Sequence, residues 1–152
     1  GLAELWRGAG FTVKCFDDID QLVWEKLICN CAFSASSALT GWTVGEVIAD
    51  SDAWSVASNC ALEAYLVARA SNIRLDIDDP ISYVRDFGAK IPHARPSMLL
   101  DHMAGRRSEI DAINGAIPLA AARVGEKAPV NESVSALVRA KENKFISATG
   151  HE

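Results

Sequence analysis

The stretch from Trp24 to Gly41, WEKLICNCAFSASSALTG, constrains the fold of this chain more than any other. It is small or apolar almost throughout, it lacks proline, and its only charges are Glu25 and Lys26 at its start. Such a helix has no broad solvated face and must be surrounded by other elements. At about 100° per residue, Lys26, Asn30, Ser34 and Ser37 fall within about 80° of one another and form one polar stripe. Leu22, Val23 and Phe33 share that side, Trp24, Leu27, Ile28, Cys31, Ala35 and Ala38 fill the opposite one, and no further charge appears until Glu46. The expectation is that Lys26 sits where water is scarce. An ammonium there is costly unless it is paired, hydrogen-bonded or partly deprotonated, and the last state suits an acid or base catalyst. The competing expectation is that Lys26 snorkels to the surface and Asn30 bonds to backbone in a crowded core. Taken alone, the stretch favours the second.

The rest of the composition narrows the class. A chain of 152 residues, 49% hydrophobic and 7% aromatic, has room for one helical domain with a real core. Its net charge of -5 and lack of a basic run argue against a nucleic-acid or anionic-membrane surface. Cys15, Cys29, Cys31 and Cys60 show no C-x-x-C spacing and are expected to be reduced core residues of a cytoplasmic protein. His93, His102 and His151 are too scattered to assemble a metal site with them. The charge-free run from Leu27 to Gly45 approaches membrane-spanning length, but Asn30, its Ser/Thr hydroxyls and its glycines make it a buried helix instead. The chain starts at Gly1 in mid-pattern, without an initiator methionine, so a leading part is expected to be missing.

In chain order, Leu2 to Arg7 read as the end of a helix, Gly8 and Gly10 as its stop, and FTVKCF as a short strand. The two glycines do not make a dinucleotide fingerprint: Val13 stands at the third glycine position, and the glycines precede the strand. A first helix is expected from about Asp18 to Ser34, continuing or kinking to Gly41, with Gly41 and Gly45 in a loop. A long helix follows from Ser51 to about Asn72. Pro80 opens a shorter one to Phe87, which Gly88 closes, and AKIPHARP is a loop. Ser97 to Ala104 begin a further helix. Ser108 to Asp111 have the spacing of a capping box for a helix over 108–124. Asn131 or Ser133 caps a last helix to about Ile146, and SATGHE frays. The expected architecture is an all-α multi-helix bundle with a short N-terminal strand left over from another domain.

Two segments carry a resemblance that periodicity cannot supply: WEKLICNCAFSASSALTG with Gly45-Glu46, and RPSMLLDHMAGRRSEIDAINGAI from Arg95 to Ile117. Together with PVNE at Pro129 to Glu132, they resemble the ketopantoate reductase family from about Asp18 to Lys144. The resemblance implies a helical C-terminal domain of the 6-phosphogluconate dehydrogenase C-terminal-domain-like type. It divides the chain into 1–16, a remnant of an N-terminal Rossmann domain, and 17–152, the helical substrate and catalytic domain. It further implies an NADPH-dependent reductase of a small 2-oxo acid, ketopantoate to pantoate being the leading case, that forms a cytoplasmic homodimer. NADP would be bound mainly by the missing half.

By the same resemblance Lys26 matches the catalytic lysine, Glu109 the glutamate beside the reacting group, and Asn30 and Ser97 substrate-binding positions, with Ser34 on the same stripe. Ser34 and Val44 stand where members acting on ketopantoate commonly have asparagines, which leaves the exact substrate open. The chemistry suits these residue types, because a lysine can stabilise charge growing on a carbonyl oxygen and donate a proton to it. On their own Glu109 reads as a helix-dipole residue and Ser97 as a cap. Asp101 and Asn114 support the site or cap and pack, and Arg106 and Arg107 read as a solvated pair. Two alternatives stay open: a non-catalytic helical binding or dimerisation module related to the reductases, and a reductase for a different carbonyl substrate.

Overall fold

The computed structural model describes residues 14–149. Its first and central element is one continuous helix, α1, Lys14–Thr40. The serine-rich segment therefore extends the helix without a break. Residues 31–38 of α1 are all buried, which is why SASSA needs no polar face. Lys141 donates from Nζ to the Ala38 carbonyl at 2.6 Å, satisfying an orphan acceptor in the last turn. Gly41, at φ +77°, then ends the helix in the left-handed conformation that glycine adopts freely.

Around α1 lie α2 (Val44–Ala49), α3 (Ser51–Ala70), α4 (Pro80–Ala89), α5 (Ser97–Met103), a 3-10 turn at Ile110–Ala112, α6 (Ala116–Arg123) and α7 (Pro129–Thr149). The main contacts of α1 are with α3, where small buried residues, Ala57, Cys60, Ala61, Ala64 and Ala68, let the two backbones approach. The described residues hold no strand. Of the expected strand FTVKCF, positions 11–13 lie outside the described residues and Lys14 to Phe16 already belong to α1. The helix end and glycines before it, and the division at residue 16, also lie outside or at the edge of the described residues.

Several boundaries differ from the sequence expectation, each for a packing reason. Gly45 lies within α2, not in a loop, and a Cβ there would come within 2.8 Å of the Pro92 carbonyl oxygen. Gly88 lies inside α4 instead of closing it, because a Cβ there would meet Phe33 at 2.6 Å and Ile48 at 2.7 Å. Both glycines serve close approach. Ser108 caps no helix over 108–124: its N–H and Oγ donate to Glu142 on α7 at 3.2 and 2.6 Å, and only the 3-10 turn and α6 form in that span. Helix α7 starts at Pro129, whose missing N–H costs nothing there. Its free N–H groups at Val130 and Asn131 donate to the Glu63 carboxylate of α3 at 3.0 and 2.8 Å. Asn131 is consequently no cap. It is wholly buried, donating to the Cys60 carbonyl and to Glu63, while Asn114 donates to Asn131 and to the Cys31 carbonyl. This pair of asparagines ties α1, α3 and α7 together in the core, so Asn114 is a packing residue.

Candidate functional site

Two neighbouring cavities lie along the polar stripe of α1 and share part of their lining. The outer one, about 360 Å³, is lined by Leu22, Glu25, Lys26, Cys29 and Asn30 of α1 with Tyr83 and Phe87 of α4. The inner one, about 140 Å³, reaches from Cys29, Asn30, Phe33 and Ser34 to Val44, Phe87 and the segment from Ile91 to Pro96. Cys29, Asn30 and Phe87 line both. The stripe thus becomes a graded wall: Lys26 is exposed, Asn30 half-buried, and Ser34 and Ser37 are buried.

This corrects one expectation directly. Lys26 is exposed, and Leu22 and Val23 beside it are 69% and 57% exposed, so the described residues leave it open to water. Lys26 makes no hydrogen bond or ion pair with any described residue. Its exposure agrees with the competing expectation, whose other half, an Asn30 bonded to backbone, fails. The Asn30 amide makes no hydrogen bond within the described residues, although half-buried amides are usually satisfied by backbone. Asn30 lines both cavities, one helical turn from Lys26.

The remaining candidates are placed unequally. Ser34, 4% exposed, lines the inner cavity. Ser97 is exposed as the first residue of α5, directly after the lining residue Pro96, and α5 has no side-chain cap, so the reading of Ser97 as a cap fails. Glu109 lies exposed before the 3-10 turn, in contact with neither cavity and without a partner among the described residues. Nothing in the described contacts joins it to Lys26.

The other ionisable groups on the cleft limit its chemistry. Burial, then the Glu25 charge, pushes the Cys29 thiol up to about 12, so it stays protonated and is no nucleophile at neutral pH. Burial also raises the Tyr83 phenol, with Cys29 and Glu25 adding to it. The Glu25 carboxylate accepts from Gln21 at 3.0 Å and from the Asp76 N–H at 3.3 Å, which ties it to the segment after α3. Among the described lining residues, Lys26 is the ammonium of the cleft, without a hydrogen-bond or ion-pair partner there. Tyr83, Phe87 and Arg95 were missed in the sequence. Two aromatics four apart on a helix were a usable signal, and Arg95 opens the very segment that carries Ser97.

No group of His, Cys, Asp or Glu among the described residues could hold a metal ion, and no described helix is long and apolar enough to cross a membrane. Cys29, Cys31 and Cys60 are free and buried. No glycine-rich turn opens a helix among the described residues. The described glycines with positive φ, Gly41, Gly105 and Gly125, each follow the end of a helix, whereas phosphate is held where a glycine-rich turn opens one.

Comparison with known proteins gives this geometry a family. The model of the ketopantoate reductase (PanE/ApbA) C-terminal domain matches residues 18–142. The 2-dehydropantoate 2-reductase of Mesorhizobium japonicum is 34% identical over 140 residues, 91% of this chain and 42% of that protein. The crystal structure of a PanE/ApbA family ketopantoate reductase from Ralstonia eutropha superposes with a TM-score of 0.76 at 32% identity, covering 95% of this chain and 48% of that one. A D-mandelate dehydrogenase in complex with NADH and anilino(oxo)acetate superposes with a TM-score of 0.73 at 26% identity, covering 81% and 41%. The chain spans about half the length of the curated relatives it matches. Through its helical bundle and the motifs on α1 and α5, this chain belongs to the ketopantoate reductase family, of which it represents the C-terminal domain.

Proposed function

We propose that, within a full-length protein, this chain is the substrate-holding and proton-donating half of a cytoplasmic NADPH-dependent 2-oxo acid reductase. One observation carries the reading: the Asn30 amide, which lines both cavities, and the Lys26 ammonium one turn away are each without a partner among the described residues. When bound by the other half of the protein, reduced nicotinamide supplies a hydride to the carbonyl carbon. Lys26 stabilises the charge that grows on the carbonyl oxygen and gives it a proton, leaving a 2-hydroxy acid. Asn30 donates to the same oxygen or its neighbour, Ser34 supplies a hydroxyl within the inner cavity, and Ser97, which lines neither cavity, is supported by the family motif alone. The family motif alone supports Glu109 as the carboxylate that holds Lys26. A docked nucleotide domain would also withdraw Lys26 from water, as the sequence asks and this surface does not provide.

Ketopantoate is the first substrate to try, since the curated relatives carry the name 2-dehydropantoate 2-reductase. A second substrate is favoured by Val44, 2% exposed on the floor of the inner cavity, which offers no hydrogen bond to a substrate hydroxyl. A 2-oxo acid with a hydrocarbon side chain fits that floor. The test is NADPH oxidation by the full-length protein with a panel of 2-oxo acids including both types. Turnover of either supports the reading, and no turnover on any of them rejects it in favour of a non-catalytic module.

A further inference from the structure

We propose that Arg95 is the carboxylate-binding residue of this cleft, a role that rests on the reading of the site as a 2-oxo acid pocket. The guanidinium belongs to a residue lining the inner cavity, and it makes no hydrogen bond or ion pair with any described residue. The cavity offers an anion no other cation: Cys29 stays a neutral thiol, Val44 is hydrocarbon, and Asn30 and Ser34 are neutral. Lys26 lines only the outer cavity. A substrate whose carbonyl oxygen lies at Asn30, which lines both cavities, therefore has Lys26 on the outer cavity and Arg95 at the exposed rim of the inner one. An anion without such a partner would be costly to desolvate there, whereas a planar guanidinium takes both carboxylate oxygens in a bidentate pair.

The backbone holds Arg95 for this task. The Val44 N–H donates to the Ala94 carbonyl at 3.0 Å, the Gly45 N–H donates to the Pro92 carbonyl at 2.9 Å, and the Ala94 N–H donates to Ile91 at 3.0 Å. Those bonds satisfy the first turn of α2 and pin the residue before Arg95, while Pro96 restricts Arg95 itself to extended conformations. Val44 thus forms a buried floor suited to the substrate side chain, and the exposed Arg95 forms the mouth at its carboxylate.

The experiment compares a 2-oxo acid with its neutral 2-oxo amide in the full-length protein, as wild type, Arg95→Gln and Arg95→Lys. In the wild type, kcat/KM should favour the acid by about 100-fold. Arg95→Gln should raise KM for the acid about 100-fold with kcat and KM for NADPH little changed, and should erase the preference over the amide. Arg95→Lys, which keeps the charge and loses the fork, should restore part of that preference. Calorimetric affinity for the 2-hydroxy acid product should fall in parallel. An acid preference that survives in Arg95→Gln overturns the proposal while leaving the reductase reading intact, as does a rise in KM confined to NADPH. A wild type that reduces no 2-oxo acid removes both.

Discussion

A single exposed ammonium, Lys26, is asked to carry the proton transfer. Lys26→Ala in the full-length protein should lower kcat by on the order of 10²–10⁴ while leaving nucleotide affinity nearly unchanged, which steady-state kinetics with both substrates would read. The type and spacing of Lys26, Asn30 and Ser34 were legible because a helix converts sequence distance into direction. The exposure of Lys26 agrees with the reading that it snorkels to the surface, whereas the expectation of scarce water there failed, since burial depends on what covers a face. Ser108 and Asn131 misled for a related reason: a side chain suited to a local cap is equally suited to a long-range partner, and Glu142 and Glu63 supply those partners. Glu142 yields a second prediction. It is buried against His102, with Nε2 and Oε2 2.8 Å apart, and burial by itself would raise its carboxyl. The Ser108 hydroxyl, His102 and the Ser108 N–H outweigh burial and leave it below its ordinary 4.5. A depressed carboxylate contributes stability that is complete above its unfolded value and disappears as pH falls through the lower folded one. Thermal melts should therefore show wild type losing its advantage over Glu142→Gln as pH drops below about 4.5. A gap independent of pH throughout would show that the carboxylate charge contributes nothing.

At the level of elements, close approach of backbones decides where the cleft lies. Gly45 lets α2 meet the segment carrying Arg95, and Gly88 lets α4 lie on Phe33 and Val44. Gly45→Ala would place its Cβ 2.8 Å from a carbonyl oxygen and 2.9 Å from Pro92 Cβ, with backbone on the other side that cannot swing away. It should cost about 1–3 kcal/mol by overpacking and weaken substrate binding along with stability. Gly88→Ala meets the ends of side chains, which yield more readily, and should cost less. Denaturant unfolding of the two variants tests the order, and equal costs would mean that the segment from Ile91 to Pro96 is free to shift. Helices α3 and α5 matched their expected starts and roughly their ends because capping residues, proline and apolar periodicity agree there. The two glycines were read as punctuation because a sequence does not show whether a missing Cβ serves a turn or a neighbour.

For the molecule as a whole, the outcome turns on surface that this bundle leaves open. Ile19, Leu22 and Val23 on α1 and Phe87 on α4 expose 41–69% of their area around the outer cavity, and a face of this kind beside a polar cleft marks a contact surface. In the full-length protein, the nucleotide-binding half is the proposed occupant of that face, bringing the cofactor over Asn30 and Lys26. A second apolar depression, lined by Leu39, Ala53, Val56, Val134 and Leu137 with Ser36 and Thr40, lies along α1, α3 and α7. The bundle has a continuous core drawn from all its major helices, so residues 1–152 alone should fold. They should bind NADPH weakly or not at all, because the described residues offer no phosphate-cradling turn at a helix start. They should also self-associate, most simply as a two-fold dimer. Calorimetric titration with NADPH and multi-angle light scattering separate these claims. Micromolar NADPH binding would place the nucleotide site within this chain, and a strictly monomeric species at high concentration would remove the case for association. Leu137→Glu distinguishes the two faces: it should abolish dimers formed through α7, and dimers that persist would point to the open face around Leu22 instead.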